Sequence, residues 1–455
     1  MIKFFIQTYG CQANVADSQA IANFLKDLDC EQVFFQESAD IIIINTCAIR
    51  DKAEQKIYSY IGRLEKLRKQ NNFLKIVIVG CIASYKKKDF YSRFPFITFV
   101  NGARDDKNLL QEKFADIIMS IQTSKQIHKL TEPVALNKNT GIAKFKNFNL
   151  KLGGLKVENK HSIQSFINIM TGCNNFCTYC IVPFTRGREV SYLANDILEK
   201  IKFDISIGAK EIILLGQNVN SYKCPETEIN FAGLLKKVAL LPGNFWIRFM
   251  SPNPKDMTLD VIKVMAEYSD KICGFVHHPV QSGSNKILEL MNRSYTVEKY
   301  LEQIDWIKKY LPKATISTDI IVGFPGENEQ DFIATLELIK TVNFDNVYSF
   351  IFSPRKYTKA ALMQDNLSYQ EKQQRLDHLQ KVQIDIAKNK NEAYIGKVVK
   401  CLVEKPAVNG MLLARSAGNH TVLFNGGYEL INSFVDVNIE TAGATNLTGS
   451  LIDKC

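Results

Sequence analysis

The chain has 455 residues, 46% hydrophobic and 23% charged. That is the balance of a globular protein of about three domains, and it excludes fibrous, collagen-like and fully disordered classes. Lysine plus arginine exceed aspartate plus glutamate by 57 to 47, a net charge of +10 that suits a polyanionic partner.

Residues 1–118 alternate short apolar runs with amphipathic stretches. Strands are expected at Lys3–Thr8, Asp40–Thr46 and Leu74–Gly80, with helices at Val15–Leu28 and Asp51–Lys69. The unbroken run Ile41-Ile42-Ile43-Ile44 predicts a strand covered on both faces, hence an open doubly wound parallel sheet. Residues 119–158 read as a basic linker. Between Lys125 and Lys160 eight lysines face only Glu132 and Glu158, with no clear periodicity, which suits a solvated tether and would also suit nucleic-acid phosphates.

Residues 159–392 return to strand–helix alternation. Strands at Phe166–Met170, Glu211–Leu215, Trp246–Phe249, Gly274–Val280, Thr315–Val322 and Val347–Phe352 predict a partial (βα)6 barrel with functional loops at the strands' carboxyl ends. A capping box at Ser368-Tyr369-Gln370-Glu371 opens a closing helix. Residues 393–455 hold five short alternating runs, Val398–Val403, Leu412–Ala414, Thr421–Phe424, Phe434–Ile439 and Leu447–Ile452, as in a small antiparallel β-barrel. No basic stretch precedes a long apolar core at the start, and no apolar run nears the roughly 20 residues of a membrane span. A cytoplasmic protein without membrane attachment is expected.

The eleven cysteines are then expected as metal ligands or catalytic thiols rather than a disulfide framework. Cys173, Cys177 and Cys180 form a CxxxCxxC motif directly after the first barrel strand. Thiolates suit zinc or iron–sulfur clusters, but a structural zinc wants four protein ligands. The next cysteine is Cys224, and the nearest histidine, His161, precedes the strand. Three ligands on a four-iron cubane leave one iron open to bind a substrate; zinc and plain burial are the alternatives. Cys11, Cys47 and Cys81 each follow a predicted N-terminal strand. Ligands of open parallel sheets bind beyond such ends, although free cysteines also favour buried strand ends. Cys30, Cys224, Cys273, Cys401 and Cys455 show no partner pattern.

Thr8-Tyr9-Gly10-Cys11-Gln12, Asn45-Thr46-Cys47-Ala48-Ile49-Arg50, Gly80-Cys81, Gly172–Pro183 and Thr185-Arg186-Gly187-Arg188-Glu189 resemble the radical-SAM methylthiotransferases. The likeness spans essentially the whole chain, and Gly216–Tyr222 leans towards the tRNA-modifying branch rather than the protein-modifying one. The resemblance implies a cluster-bearing N-terminal domain, a radical-SAM core and a C-terminal TRAM barrel that grips RNA. It implies two 4Fe–4S clusters, one on Cys173, Cys177 and Cys180 and an auxiliary one on Cys11, Cys47 and Cys81. S-adenosyl-L-methionine would serve as radical source and methyl donor, near Gly216, Gln217, Gln281 and Asp319. No side chain is expected as a catalytic acid or base. The expected partners are the anticodon stem-loop of a tRNA and an electron donor such as flavodoxin or ferredoxin, with the protein a monomer.

Three positions depart from the family pattern: Asn253 for a usual histidine, Lys356-Tyr357 for Pro-Gly, and Ala13 for Met. In the terminal barrel Lys397, Lys400, Lys405, Arg415, His420, Phe424 and Tyr428 are candidates for a basic groove with aromatic platforms. A protein-modifying methylthiotransferase and a zinc-dependent RNA-binding protein are the competing readings.

Overall fold

The computed structural model of the protein describes residues 1–48, 51–130 and 163–452. The chain forms two compact units, residues 1–158 with 181–188, and residues 159–180 with 189–455.

In the first unit the elements run β1 (Ile2–Thr8), α1 (Gln12–Asp27), β2 (Cys30–Gln32), β3 (Ile41–Thr46), α2 (Asp51–Gln70), β4 (Lys75–Gly80), α3 (Ala83–Arg93), β5 (Phe99–Gly102) and α4 (Lys107–Leu130). The sheet order is β2-β1-β3-β4-β5, and every pairing is parallel. The isoleucine run is wholly buried and its alternation divides it between two cores. Ile42 and Ile44 pack with Ile57 and Ile61 of α2 and Phe90 of α3. Ile41 and Ile43 pack with Leu25 of α1 and Phe114 and Ile121 of α4. The sheet is therefore doubly wound, and each buried isoleucine contributes about 1.5–3 kcal/mol.

Two features differ from the sequence reading. Edge strands β2 and β5 are only three and four residues long, too short to show an alternation. Helix α4 continues through residues 119–130, where the linker was expected to begin. Ile117, Ile118 and Ile121 sit in the core and hold it on the sheet. The rest of the expected linker, 131–158, lies outside the described residues, as do Ile49, Arg50 and Cys455.

The second unit begins with β6 (Gln164–Asn168) and β7 (Met170–Thr171); β7 pairs antiparallel with β8 (Val190–Ser191). Between β7 and β8 in sequence lie the CxxxCxxC loop and a short helix, α5 (Val182–Thr185), which belongs to the first unit. Then follow α6 (Ala194–Ser206), β9 (Glu211–Leu215), α7 (Phe231–Ala239), β10 (Trp246–Phe249), α8 (Leu259–Glu267), β11 (Phe275–His277), α9 (Asn285–Leu290), α10 (Val297–Tyr310), β12 (Thr315–Val322), α11 (Glu329–Val342), β13 (Asn346–Ile351) and α12 (Tyr369–Glu392). The sheets β10-β9-β6 and β11-β12-β13 are parallel, and a parallel bridge from Ile247 to Ile272 joins them into one open arc. Ser368 and Glu371 form the expected capping box of α12.

The terminal barrel closes in the order β14 (Val398–Pro406), β15 (Leu412–Ser416), β16 (Thr421–Phe424), β18 (Asn446–Leu451), β17 (Phe434–Ala442). Four pairings are antiparallel; β16 with β18 is parallel. The barrel docks on the amino ends of the arc's strands. Phe434 packs edge-on against Trp246 at 4.9 Å. Thr315 Oγ1, at the start of β12, donates to the Gly418 carbonyl at 2.6 Å. Arg248 Nε donates to Glu211 at 2.8 Å, and its two amino groups donate to the Ser416 and Ala417 carbonyls at 3.2 Å. Both charged side chains are buried. Among the described residues no helix is long and apolar enough to cross a membrane.

Truncating one member of a buried ion pair strands the other without a partner. Arg248→Ala should therefore cost about 3–5 kcal/mol in urea unfolding.

Candidate metal centres

In the first unit, sheet order reverses between β1 and β3, and a doubly wound sheet opens its binding crevice at that point. Cys11 follows β1 and caps α1, Cys47 follows β3, and Cys81 follows β4. The backbones approach closely here. Gly10 has φ +146°, and a Cβ added to it would lie 2.8 Å from Cys47 Cβ. Gly80 has φ +98°, and its Cβ would lie 2.5 Å from the Thr46 carbonyl oxygen. Only glycine fits either place. Beneath the cysteines a buried amide pair fixes the strand ends: Asn14 Nδ2 donates to Asn45 Oδ1 at 2.9 Å, and Asn45 Nδ2 returns a bond to the Asn14 carbonyl at 2.8 Å.

The environment favours thiolate at Cys11. A hydrogen bond from Cys47 lowers its pKa most, against the cost of burial, and the N–H groups of Asn14 and Ala13 at the start of α1 assist, bringing it to about 6. Burial pushes Cys81 up, while Arg186 opposes that with its charge and a hydrogen bond to the sulfur. Arg186 belongs to the segment 181–188, which packs with this unit.

In the second unit the loop after β7 carries Cys173, Cys177 and Cys180. Gly172 turns it at φ +77°, and Gln217, just past β9, accepts the Gly172 N–H at 2.6 Å. The Thr178 N–H and hydroxyl donate to the Met291 and Leu290 carbonyls at 3.0 and 2.8 Å, and Asn292 Nδ2 donates to the Asn175 and Phe176 carbonyls at 3.1 Å. Arg293 reaches Cys177 Sγ at 3.5 Å, held by the Pro279 carbonyl and the Tyr295 hydroxyl, each at 2.7 Å. Cys173 is buried, which raises its pKa.

Among the described residues no three His, Cys, Asp or Glu side chains are grouped to hold a single metal ion. Thiolates sharing one zinc at about 2.3 Å would stand roughly 3.8 Å apart. The cysteines of a cubane take different irons and need a wider frame. Glycines that let the strand ends carrying Cys11, Cys47 and Cys81 approach closely, and an arginine acting on one sulfur of each set, fit an anionic cluster.

The other expected contacts fall into two groups. Gly216 and Gln217 abut the cysteine loop; a side chain at Gly216 would overlap Met170. Gln281 and Asp319 meet through backbone, the Gln281 N–H donating to the Asp319 carbonyl at 2.8 Å. Gln281 is buried at φ +76°, and the Asp319 carboxylate lies 3.6 Å from His277 Nε2. The departures have local reasons. Asn253 caps the turn Pro254–Asp256 through the Lys255 N–H, and its own N–H donates to Asn218 Oδ1 at 3.1 Å. Tyr357 adopts φ +73°, a conformation glycine takes without strain. Ala13 is buried in the first turn of α1.

Of the seven terminal-barrel candidates, Lys397, Lys400, Lys405 and Tyr428 are exposed. Three are corrected. Phe424 is wholly buried in the barrel core. His420 packs on Tyr394 at 4.6 Å, and burial lowers its pKa, so it is no cation for RNA. Arg415 is held by Glu404, Nε to Oε1 at 2.6 Å. Arg186 and Arg293 were not singled out from sequence. Arg186 lies within the quoted Thr185–Glu189 motif, but Arg293 stands 116 residues from Cys177 and carries no local signal.

The description "Radical SAM superfamily" matches residues 167–339, and "Uncharacterized protein family UPF0004" matches residues 3–102. The radical-SAM methyltransferase TsrM from Kitasatospora setae, solved with cobalamin and a 4Fe–4S cluster, shares the fold at TM-score 0.55 and 11% identity, over 79% of this chain and 77% of that one. The cobalamin-dependent S-adenosylmethionine radical enzyme OxsB does so at TM-score 0.50 and 13% identity, over 84% and 56%. Fold and cysteine loop thus define the class, a radical-SAM protein. The tRNA-2-methylthio-N(6)-dimethylallyladenosine synthase of Clostridium novyi (strain NT) is 39% identical over 99% of this chain and 96% of its own length. That of Clostridium botulinum (strain Langeland) is 41% identical over 99% and 97%. The chain belongs to the family of tRNA-2-methylthio-N(6)-dimethylallyladenosine synthases.

A lowered pKa means thiolate present above it and lost below. In the metal-free chain, alkylation of Cys11 should inflect near pH 6, whereas Cys81 and Cys173 should react only at higher pH. Cys47→Ala removes the leading cause and should return Cys11 towards the ordinary value of about 8.5, read by peptide mass spectrometry.

Proposed function

We propose that this protein is a tRNA methylthiotransferase that converts isopentenyladenosine beside the anticodon to its 2-methylthio derivative. The observation that carries the reading is two sets of three cysteines, each beyond the carboxyl ends of a parallel sheet and each with an arginine acting on one of its sulfurs. Cys11, Cys47 and Cys81 hold an auxiliary 4Fe–4S cluster; Cys173, Cys177 and Cys180 hold the cluster that engages S-adenosyl-L-methionine and leave one iron open. When bound, these groups supply radical hydrogen abstraction, a methyl group and sulfur, chemistry that no side chain can direct at an adenine C–H bond.

The chain's own residues do the positioning. Gln217 fixes the turn into the cysteine loop through Gly172, and Thr178 and Asn292 tie that loop to the end of α9. Gly216, Gln217, Gln281 and Asp319 border the S-adenosyl-L-methionine site. Lys397, Lys400 and Lys405 neutralise RNA phosphates, and Tyr428 offers a stacking face. An electron donor such as flavodoxin or ferredoxin reduces a monomeric enzyme in the cytoplasm.

The test combines anaerobically reconstituted protein, reductant, S-adenosyl-L-methionine and prenylated tRNA, with mass spectrometry of the digested nucleosides. The product gains a methylthio group on isopentenyladenosine. The group on a threonylcarbamoyl adenosine or a protein aspartate instead would overturn the substrate assignment. Cys177→Ala should lose about half the iron and all S-adenosyl-L-methionine cleavage. Cys47→Ala should lose a similar share of iron yet still form deoxyadenosine.

A further inference from the structure

The segment 181–188 follows Cys180 immediately in sequence and packs with the first unit. Ile181 enters the core that holds Cys81, Ile82 and Phe90. Ser84 Oγ donates to the Thr185 carbonyl at 3.0 Å, and Arg104 donates to the Phe184 carbonyl at 3.1 Å. These contacts deliver Arg186, whose side chain is only 8% exposed, to the auxiliary cysteines. Its guanidinium donates to Asp17 Oδ2 at 2.7 Å, and its charge acts on both Cys81 and Cys11. A cation so buried is costly unless anions surround it. Asp17 supplies one; three thiolates carrying a cubane supply a second.

The second unit repeats the arrangement with different partners. Arg293 touches Cys177 Sγ and is steered by a carbonyl and a hydroxyl. Among the described residues no carboxylate pairs with it, so the cluster would be its principal counter-charge.

We propose that Arg186 and Arg293 are positioning residues, each donating N–H to one ligand sulfur and raising the reduction potential of the cluster bound there, with Asp17 partly offsetting Arg186. The inference rests on the reading that both cysteine sets hold 4Fe–4S clusters. Its physical basis is that reduction adds negative charge, so hydrogen bonds to sulfur and nearby cations favour the reduced form. A structural role for the Arg186–Asp17 pair is the competing explanation. The two explanations differ in sign. Either truncation breaks the same ion pair, but removing arginine deletes a positive charge and removing aspartate exposes one.

The experiment isolates one cluster at a time in the full-length chain. With Cys173, Cys177 and Cys180 all changed to alanine, the auxiliary cluster alone is reconstituted anaerobically and titrated with redox mediators under electron paramagnetic resonance. Arg186→Gln should move the midpoint negative by about tenfold in the reduction equilibrium, about 59 mV for one electron. Asp17→Asn should move it positive. With Cys11, Cys47 and Cys81 changed to alanine instead, Arg293→Gln should move the other midpoint negative and Arg293→Lys should restore most of the difference. Shifts of the same sign in the Arg186 and Asp17 variants, or no shift in either or in Arg293→Gln, would overturn the proposal. If Arg186→Gln does not take up iron, the sign of the Asp17→Asn shift decides for that site. Parent chains that bind no four-iron cluster would instead defeat the cluster reading itself, an outcome told apart by their iron content.

Discussion

Parallel strand pairing governs this molecule. A parallel strand must be recrossed by a covering helix before the next begins, so all carboxyl ends emerge along one edge and all amino ends along the other. Such strands are buried on both faces, and for that the chain supplies Ile41–Ile44, Ile76–Val79 and Ile212–Leu215. With packing satisfied by apolar side chains, residues just beyond the carboxyl ends are released from core duty and free to carry chemistry. Both cysteine sets occupy that position.

The second constraint is charge. Three cysteines gathered in each unit would repel one another as thiolates, and each unit answers locally. The first turn of α1 offers N–H groups to Cys11, and arginines stand against Cys81 and Cys177. Each site is also braced by neutral amides, Asn14 with Asn45 in the first unit and Asn292 beside the loop in the second. Amides hold backbone in place without adding charge, so the electrostatic balance rests on a few cations.

What was readable from sequence follows from how local each signal is. The strand Ile41–Thr46, the CxxxCxxC loop, the capping box at Ser368 and the five runs of the terminal barrel all sit within a residue or a few of their expected places, because each is set by a short periodic or spaced pattern. The edge strands β2 and β5 escaped because three or four residues carry no period. The end of α4 was hidden because the lysines from Lys125 onward make the sequence read as a basic linker. Phe424 was misjudged as exposed although it shares the face of Val422, two residues earlier, and both are buried. Arg293 and its sulfur are joined only by the fold, and no local pattern could pair them.

The docking of the terminal barrel has a geometric corollary. Arg248, Trp246 and Thr315 fasten it to the amino ends of strands whose carboxyl ends face the cysteine loop. The longest of them, β12, has eight residues and spans about 26 Å. A ligand held at one pole and altered at the other must therefore be at least that long and stiff enough to keep its two ends in register. Under the proposed function, that separation would favour a structured stem whose reactive base lies a fixed distance from the point of attachment.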